Sequence, residues 1–242
     1  MEEKLKKLKA WIDQCDNIVF FGGAGVSTES GIPDFRSADG LYNQQWPEPP
    51  EVILSHDYFT AHTQQFYNFH RQKMIFADAQ PNAAHQALAK LEQMGKLKAV
   101  ITQNIDGLHQ AAGSKNVWEL HGSVHRNYCL HCHKQFDLDF ILSSQGVPLC
   151  TDCGGIVRPD VVLYQEQLDT QVINAAVDAI EKAQMLIIGG TGLSVYPAAG
   201  LVDYYRGDKL VLINNSPTTR DHIADLIING KIGEVLKACV GI

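Results

Sequence analysis

Apolar residues follow two alternating patterns along this chain, short unbroken runs and stripes at helical spacing. The runs predict buried strands near 17–21, 98–102, 161–163, 185–188, 210–213 and 226–228. The stripes predict helices near 4–15, 82–95, 170–183, 197–206 and 231–239. Strands that are apolar throughout and alternate with helices are typical of a parallel sheet covered on both faces. We therefore predict an α/β fold.

Two segments interrupt this alternation. Residues 124–157 contain four of the cysteines, and residues 38–80 are rich in aromatic residues and prolines. The remaining residues, 1–37, 81–123 and 158–242, form the predicted sheet domain. Residues 38–80 are predicted as a loop followed by a helical insert, with a helix from Asp57 to about Ile75, and residues 124–157 as a small metal-binding module.

Composition and charge narrow the class of protein. The 242 residues are 45% hydrophobic and carry a net charge of −7, which is ordinary for a globular domain. An acidic chain without clustered lysine and arginine predicts no specific nucleic-acid partner. The apolar runs are too short to cross a membrane, and residues 1–8 contain no apolar export signal. We therefore expect a cytoplasmic protein.

The cysteines of the second segment have the spacing of a metal site. Cys129-x-x-Cys132 and Cys150-x-x-Cys153 are separated by 17 residues. Two tight turns that each present two sulfurs are typical of a four-thiolate zinc site. Because four thiolates fill the tetrahedron, we expect a structural zinc with no open position for chemistry. A pair of disulfides is the alternative, which a cytoplasmic context disfavours.

The segment 20–37 runs from a hydrophobic strand into small residues and then into an acid and a base. Glycines allow the backbone to approach a pyrophosphate, and a helix beginning near Val26 would direct its positive end at the phosphates. The fingerprint of ordinary dehydrogenases needs a third glycine where Thr28 stands and an acidic residue about 20 positions later. Neither is present, so an ordinary dehydrogenase is disfavoured.

Polar groups also stand where other predicted strands end. They lie at 103–109, 118–123, 189–194 and 214–216. Open α/β sheets bind ligands at the carboxyl ends of their strands. We therefore expect these groups to converge on one crevice.

The order of these motifs resembles that of the sirtuin family of NAD-dependent protein deacylases. The motifs are the glycine cradle with 33–37, the Gln-Asn-Ile-Asp run at 103–106, His121-Gly122, the paired Cys-x-x-Cys, 158–162 and the strand that ends at Asn214. The similarity spans nearly the whole chain. It implies an inverted Rossmann-type large domain, a small zinc-ribbon domain, and NAD consumed as a substrate between them.

The resemblance also implies roles for individual residues. Catalysis would fall to His121, Asn104 and Asp106, with His121 as the general base that takes a proton from a ribose hydroxyl. The implied NAD-binding residues are Ala24, Ser27, Thr28, Phe35, Arg36, Gln103, Asn104, Ile105, Asp106, His121, Thr191, Gly192, Ser194, Asn214, Asn215 and Lys231. A substrate strand would pair beside Val161, Leu163 and Tyr164, and Cys129, Cys132, Cys150 and Cys153 would hold zinc.

Three positions depart from the family pattern. The family commonly has threonine at Gly22, a hydroxyl residue at Gly192 and glycine at Gln165. Loss of the hydroxyl at Gly192 predicts NAD binding weaker by roughly 0.5–1.5 kcal/mol. A side chain at Gln165 would be strained if the backbone needs a positive φ. The chemical groups themselves remain, so we predict an active enzyme.

The acyl preference depends on one helix of the insert. Sirtuins that favour succinyl groups have Phe-Tyr-x-x-Arg there, whereas this chain has His70 in place of the arginine. An imidazole is a poor bidentate partner for a carboxylate. We therefore predict deacetylation in preference to desuccinylation.

The leading hypothesis is an NAD-dependent protein-lysine deacetylase that acts as a monomer on acetylated proteins or peptides. An ADP-ribosyltransferase would use the same cradle but pass ADP-ribose to a protein. A non-catalytic sensor of NAD or ADP-ribose would explain Gly22, Gln165 and Gly192 as marks of lost activity. Product analysis separates these three hypotheses.

Overall fold

The computed structural model describes residues 1–37 and 40–242. Its α-helices are α1 (Glu2–Gln14), α2 (Pro50–Ile53), α3 (His56–Ala61), α4 (Thr63–Lys73), α5 (Ala83–Gln93), α6 (Leu108–Ala111), α7 (Leu138–Ser143), α8 (Thr170–Lys182) and α9 (Ile232–Val240). Its strands are β1 (Ile18–Gly22), β2 (Leu97–Thr102), β3 (Val117–Glu119), β4 (Gly122–Cys129), β5 (Gln135–Phe136), β6 (Val157–Val161), β7 (Met185–Gly189), β8 (Leu210–Asn214) and β9 (Leu226–Asn229).

Six strands form a parallel sheet in the order β3-β2-β1-β7-β8-β9. The chain builds outward from β1 in one direction and then returns to build outward from β7 in the other. Parallel sheets of this doubly wound type bind ligands where the order reverses, at the carboxyl ends of the strands. The predicted α/β class is confirmed, and the reversal falls between β1 and β7.

Apolar side chains cover both faces of this sheet. Phe20 points into the cluster beneath α1, α5 and α9, while its neighbour Phe21 points into the cluster beneath α8 and the 3₁₀ segment Ala198–Tyr204. Both rings are fully buried. Successive side chains of a strand point to opposite faces, so a strand buried on both faces is apolar throughout.

Helix α5 shows how local sequence sets a boundary. The Asn82 side chain accepts a hydrogen bond from the N–H of Ala84 at 2.8 Å, and His85 Nδ1 accepts one from the N–H of Asn82 at 3.2 Å. This reciprocal arrangement satisfies two free donors at the helix start. Gly95 follows the helix with φ +74°, a conformation that glycine adopts readily. The predicted start and stop are both confirmed.

A second, three-stranded sheet has the antiparallel order β5-β4-β6. The prediction that 161–163 forms a strand of the parallel sheet is wrong, because Val161 ends β6 and pairs with Gly122 of β4. A short apolar run does not reveal its partner, and parallel pairing requires a crossover. The cysteine loops between β4 and β6 return the chain in the opposite direction instead.

Two helix predictions also need correction. After β1 the chain forms 3₁₀ turns at Ala24–Val26 and Thr28–Ser30 in place of the helix expected near Val26. The Thr28 hydroxyl bonds to the carbonyl of Gly25 at 3.0 Å, a local bond that competes with helix formation. The helix expected from Asp57 to Ile75 is divided into α3 and α4, because His62 has non-helical angles (φ −132°, ψ 45°).

Within 1–37 and 40–242, no helix is long and apolar enough to cross a membrane. The predicted division into 1–37, 81–123 and 158–242, 38–80, and 124–157 stays a prediction. Residues 38 and 39, at its first boundary, lie outside the described residues.

Candidate active site

The carboxyl ends of β1, β2, β7 and β8 open into one cavity of about 520 Å³. This confirms the expected convergence. The sequence-predicted residues that line it are Ala24, Ser27, Thr28, Phe35, Arg36, Gln103, Asn104, Ile105, Asp106, His121, Val161, Leu163, Tyr164, Thr191, Gly192, Ser194, Asn214 and Asn215. Lys231 is not among the lining residues, and its ammonium lies 3.4 Å from the carboxylate of Glu234.

Backbone-to-backbone packing forms the floor of this cavity. The Gly25 N–H donates to the carbonyl of Gly190 at 2.8 Å. A Cβ at Gly25 would lie 2.8 Å from the Cα of Gly190, and a Cβ at Gly190 would lie 2.3 Å from the backbone nitrogen of Val26. Only residues without a side chain allow this approach. The glycine signal in the sequence therefore reflects contact between two strand ends as well as room for a ligand.

His121 has a defined tautomer in this site. Its Nδ1 lies 2.9 Å from the backbone carbonyl of Gln103, and a carbonyl can only accept. Nδ1 therefore carries the proton, and Nε2 keeps its lone pair. Burial lowers the pKa of His121, and the bond to Gln103 opposes this only in part. The imidazole is consequently neutral at pH 7, with one nitrogen ready to accept a proton.

Three polar side chains form a chain of hydrogen bonds across the cavity floor. The Ser27 hydroxyl donates to the Asp106 carboxylate at 2.6 Å, and the Asn104 amide donates to the Ser27 oxygen at 3.0 Å. The Leu108 N–H donates to the other carboxylate oxygen of Asp106 at 3.0 Å. These bonds fix the orientation of the Asn104 and Asp106 side chains before any ligand binds.

The loop that carries Phe35 and Arg36 is organised by Asp34. Its carboxylate accepts hydrogen bonds from the backbone N–H groups of Arg36 (3.0 Å) and Ser37 (2.7 Å). Asp34 therefore holds the loop through backbone groups, and among the described residues it makes no ion pair with Arg36. The ring of Tyr42 packs against both Phe35 and Arg36, with centroid distances of 5.5 and 5.4 Å.

The opposite end of the cavity is built around Thr191. Its hydroxyl accepts from the side-chain amide of Gln103 at 3.1 Å, and its carbonyl accepts from the side chain of Asn214 at 2.6 Å. At Gly192 an added Cβ would meet only the Ser194 hydroxyl, at 3.8 Å. Gly192 therefore leaves open space in which a side-chain Cβ meets no clash.

Gly22 has a packing explanation. A Cβ at Gly22 would lie 2.5 Å from the ring of Phe20 and 3.2 Å from a methyl group of Val26. The phenylalanine ring occupies the volume that a threonine side chain would need. This departure from the family pattern is therefore coupled to a large residue two positions earlier on the same face of β1.

An ion pair fixes the cavity wall formed by residues 161–166. Arg158 is 8% exposed and donates to both carboxylate oxygens of Glu166, at 2.8 and 3.0 Å. The Leu163 N–H donates to the same carboxylate at 2.9 Å. Burial raises the pKa of Glu166, but hydrogen bonds from Arg158 and His56 outweigh burial and lower it to about 2. The loop from Val161 to Glu166 is thereby tied to β6.

The four predicted cysteine ligands come together at the far end of the second sheet. Their sulfur atoms lie within 4.8 Å of one another, with Cys129 to Cys153 at 3.4 Å and Cys132 to Cys150 at 3.6 Å. Zinc–sulfur bonds of about 2.3 Å in a tetrahedron place the sulfurs about 3.8 Å apart. The cluster therefore fits one zinc ion with a full set of thiolate ligands.

The two residues compared with succinyl-binding sirtuins lie outside the cavity wall. The Tyr67 side chain is buried and its hydroxyl donates to the carbonyl of Val157, and His70 is 1% exposed and stacked on Phe66 at 5.4 Å. Desolvation lowers the pKa of His70 to about 3, so it is neutral. Neither side chain lines the cavity.

Some residues of the site carried no sequence signal. Tyr42 hydrogen-bonds through its hydroxyl to the hydroxyl of Tyr164 at 2.6 Å, which joins the loop at 41–43 to the cavity wall at 161–166. Glu166 and Asp57 reach their partners through contacts formed only in the folded chain. No local spacing predicts such pairs.

A doubly wound parallel sheet with a glycine-lined cavity at its switch point, joined to a four-cysteine cluster, defines a nucleotide-binding α/β protein with a structural zinc site. The profile of the Sir2 family matches residues 23–197. The chain belongs to the Sir2 family, the sirtuins.

Relatives and solved structures agree with this assignment. The chain is 63% identical over 239 residues to an NAD-dependent protein deacetylase of Clostridium perfringens, covering 98% of both chains. It is 58% identical over 241 residues to a protein of the same name from Clostridium acetobutylicum, again covering 98% of both.

A solved Sir2 enzyme superposes with a TM-score of 0.90 at 40% identity, covering 100% of this chain and 98% of that one. A Sir2 variant solved with a deacetylated p53 peptide and 3′-O-acetyl-ADP-ribose has a TM-score of 0.89 at 40% identity, covering 97% and 96%.

Proposed function

We propose that this protein is an NAD-dependent protein-lysine deacetylase, which transfers the acetyl group of acetyl-lysine to ADP-ribose and releases nicotinamide. The observation that carries the proposal is His121, a neutral imidazole whose Nδ1 is fixed by the Gln103 carbonyl within the glycine-lined cavity. The names of the Clostridium relatives and the product bound in the solved Sir2 variant support it.

The residues present fit NAD. The cavity of about 520 Å³ lies within the usual range of about 300–1,000 Å³ for cofactor sites, at the switch point of the sheet. NAD would supply the ribose whose anomeric carbon accepts the acyl oxygen. Ala24, Ser27, Thr28, Phe35 and Arg36 line the side assigned to the pyrophosphate and nicotinamide.

His121 acts as the general base in this proposal. Its free Nε2 accepts a proton from a ribose hydroxyl, and the Gln103 carbonyl stabilises the charged imidazolium that results. Burial lowers the pKa of His121 below its ordinary value, which keeps the imidazole unprotonated at neutral pH. The base is therefore in its active form when substrate binds.

Asn104 and Asp106 orient the ribose and the nicotinamide carboxamide. Their side chains are held by Ser27, so little conformational freedom is lost when they meet a ligand. Ile105 contributes backbone contacts and Gln103 touches the ribose. Phe35 covers the reacting face, where an aromatic ring excludes water.

The other end of the cavity holds the adenosine half of NAD. Thr191, Gly192, Ser194, Asn214 and Asn215 line this end, and the fixed amide of Asn214 supports Thr191. Lys231 was also predicted here, but its position beside Glu234 gives this role no support.

The acetylated peptide binds along the wall formed by Val161, Leu163 and Tyr164. Because Tyr67 and His70 lie outside the cavity, neither can pair with a succinyl carboxylate. Lys73 of α4 does line the cavity, and its ammonium donates to the Gln44 side chain at 3.3 Å. We expect deacetylation to be faster than desuccinylation of the same peptide. Faster removal of succinyl from a matched peptide would contradict this preference.

The proposal includes a cytoplasmic, monomeric protein that acts on acetylated proteins and has no specific nucleic-acid partner. The net charge of −7 supports the last point. Four cysteines placed for a metal site, with no disulfide among the described residues, are typical of a reducing compartment.

Incubation of the purified protein with NAD and an acetyl-lysine peptide tests the function. We expect nicotinamide and deacetylated peptide in equal amounts by mass spectrometry. His121→Ala is expected to reduce both by at least about 100-fold, in line with loss of a general base. NAD binding with neither product would indicate a sensor, and nicotinamide release with ADP-ribose attached to protein would indicate an ADP-ribosyltransferase.

A further inference from the structure

Gln165 occupies a backbone conformation that glycine favours. Its φ is +75°, in the left-handed region that is unfavourable for a residue with a side chain. It lies immediately after Tyr164, at the end of the wall assigned to the acetylated peptide. The Glu166 N–H donates to the Leu163 carbonyl at 3.0 Å, and this turn places Gln165 in the left-handed conformation although the residue is not glycine. Contacts of the Gln165 side chain can offset the cost of that conformation.

Asp57 supplies those contacts. The backbone N–H of Asp57 donates to Gln165 Oε1 at 3.1 Å, and Gln165 Nε2 donates to the Asp57 carboxylate at 2.9 Å. Two hydrogen bonds thus join the same two residues across 108 positions of sequence. Both partners are exposed, so the pair lies at the surface, where a peptide can reach it.

The two bonds to Asp57 direct the side chain of Gln165 away from the main cavity that its backbone borders. Gln165 lines both the main cavity and a neighbouring groove, whereas Asp57 lines only the groove. The side chain is therefore held on the groove side. Among residues 1–37 and 40–242, the backbone N–H and C=O of Gln165 have no hydrogen-bond partner, so an extended peptide can pair with them.

The adjacent backbone is already fixed. The Tyr164 N–H donates to the carbonyl of Leu54 at 2.9 Å, and its carbonyl accepts from the N–H of His56 at 3.0 Å. Beyond Tyr164, Gln165 is the next residue whose backbone N–H and C=O are both without a partner in the described part of the chain, and the bonds to Asp57 orient its side chain.

We propose that Asp57 is a positioning residue for peptide recognition, which holds the Gln165 side chain away from the substrate and presents the Gln165 backbone to it. The inference deepens the proposed deacetylase function and rests on it. It gives a residue in α3, outside the cavity, a specific effect on peptide affinity. It also explains how this chain tolerates glutamine where the family pattern has glycine.

The test compares Asp57→Ala with the unaltered protein, using an acetyl-lysine peptide. The substitution removes the carboxylate that accepts from Gln165 Nε2 and leaves the backbone N–H that donates to Gln165 Oε1. Loss of this one hydrogen bond is expected to raise the peptide KM about three- to tenfold. The kcat and the KM for NAD are expected to stay unchanged, because His121 and the nucleotide end of the cavity are not contacted. Fluorescence anisotropy of a labelled peptide, measured without NAD, should show the same loss of affinity.

Three further variants make the test specific. Asp57→Asn keeps an acceptor for Gln165 Nε2 and should bind peptide as the unaltered protein does. Gln165→Gly needs no restraint, so adding Asp57→Ala to it should cause no further loss. Asp139→Ala removes a carboxylate from the first turn of α7, another six-residue helix, and controls for loss of a helix-start charge.

The outcomes are distinct. If Asp57→Asn loses as much peptide affinity as Asp57→Ala, the carboxylate acts by its charge and the positioning role is wrong. If Asp57→Ala weakens binding equally in the Gln165→Gly background, or leaves the peptide KM unchanged, the role is also wrong. Absence of NAD-dependent deacetylation in the unaltered protein would instead overturn the proposed function, a result that the anisotropy measurement does not depend on.

Discussion

The parallel sheet and the cysteine end of the second sheet are stabilised in different ways. The central strands of the parallel sheet are buried on both faces, and β1 has no exposed residue. At the cysteine end, residues 130–135 and 151–154 are exposed, and Leu130 and Leu149 are 44% and 54% exposed. Burial of apolar area stabilises the first region. The second has too few buried side chains to order its loops, so it depends on the metal.

The two regions should therefore lose stability under different conditions. Structural zinc sites contribute folding free energy directly, and their thiolate ligands rarely form a site in the unfolded chain. The stability of a packed sheet does not depend on metal. It does depend on pH where the sheet buries groups that stay neutral in the folded chain and become protonated in the unfolded chain. Metal removal at constant pH therefore tests the second region, and the effect of histidine substitutions on the pH dependence tests the first.

The largest effect is expected from loss of zinc. Structural zinc contributes on the order of 10 kcal/mol in small metal modules. We expect Cys132→Ser to abolish retention of zinc and to increase hydrogen exchange in β4–β6, while β1, β7 and β8 stay protected. Elemental analysis and exchange mass spectrometry measure these changes. Cys239→Ser, outside the cluster, should keep its zinc, and protection of β4–β6 in a zinc-free protein would contradict the comparison.

Acid should act on the packed region through its buried histidines. Desolvation lowers the pKa of His85 to about 4 and that of His109 well below 6.5. Between pH 6.5 and about 4 the unfolded chain binds protons at these positions and the folded chain does not. The free energy of unfolding should therefore fall with decreasing pH, by about 1.4 kcal/mol per pH unit for each histidine.

Urea unfolding at pH 7, 6 and 5 measures this dependence. We expect His109→Leu to reduce the slope by about 1.4 kcal/mol per pH unit, while the exposed His222→Gln leaves it unchanged. A slope that is the same in His109→Leu and the unaltered protein would show that His109 does not resist protonation in the fold.

The smallest effect is expected for NAD binding at Gly192, in the cavity at the edge of the parallel sheet. Gly192 leaves open space beside Ser194. We expect Gly192→Ser to strengthen NAD binding by about 0.5–1.5 kcal/mol, through a hydrogen bond to the cofactor. Titration calorimetry measures this Kd. Gly192→Ala supplies bulk without a hydroxyl and should bind NAD as the unaltered protein does, and equal gains in both variants would exclude the hydrogen bond.

Much of the fold followed from the apolar pattern. Every predicted strand of the parallel sheet was correct except 161–163, and the capping pattern at Asn82 located α5. Apolar runs identify burial but not pairing partners, which is why β6 was assigned to the wrong sheet. The helix expected near Val26 is wrong because the Thr28 hydroxyl bonds locally to the Gly25 carbonyl and favours a turn.

The residues of the candidate site could be predicted where they lie in short sequence motifs. The glycines, the run at 103–106, His121 and the cysteine pairs are local signals, and the structure brings them to the expected cavity and cluster. The Tyr42–Tyr164 and Asp57–Gln165 contacts join distant positions and have no local signal. Nor could the sequence reveal that Phe20 fills the space beside Gly22.

The central claim is that this cavity transfers an acetyl group from lysine to ADP-ribose. A peptide whose acetyl-lysine carries a ¹³C-labelled acetyl group, incubated with NAD, tests it most directly. The account predicts that mass spectrometry finds the label in acetyl-ADP-ribose, in an amount equal to the nicotinamide released. Label recovered as free acetate from the outset, or nicotinamide released while the peptide keeps its label, would contradict it.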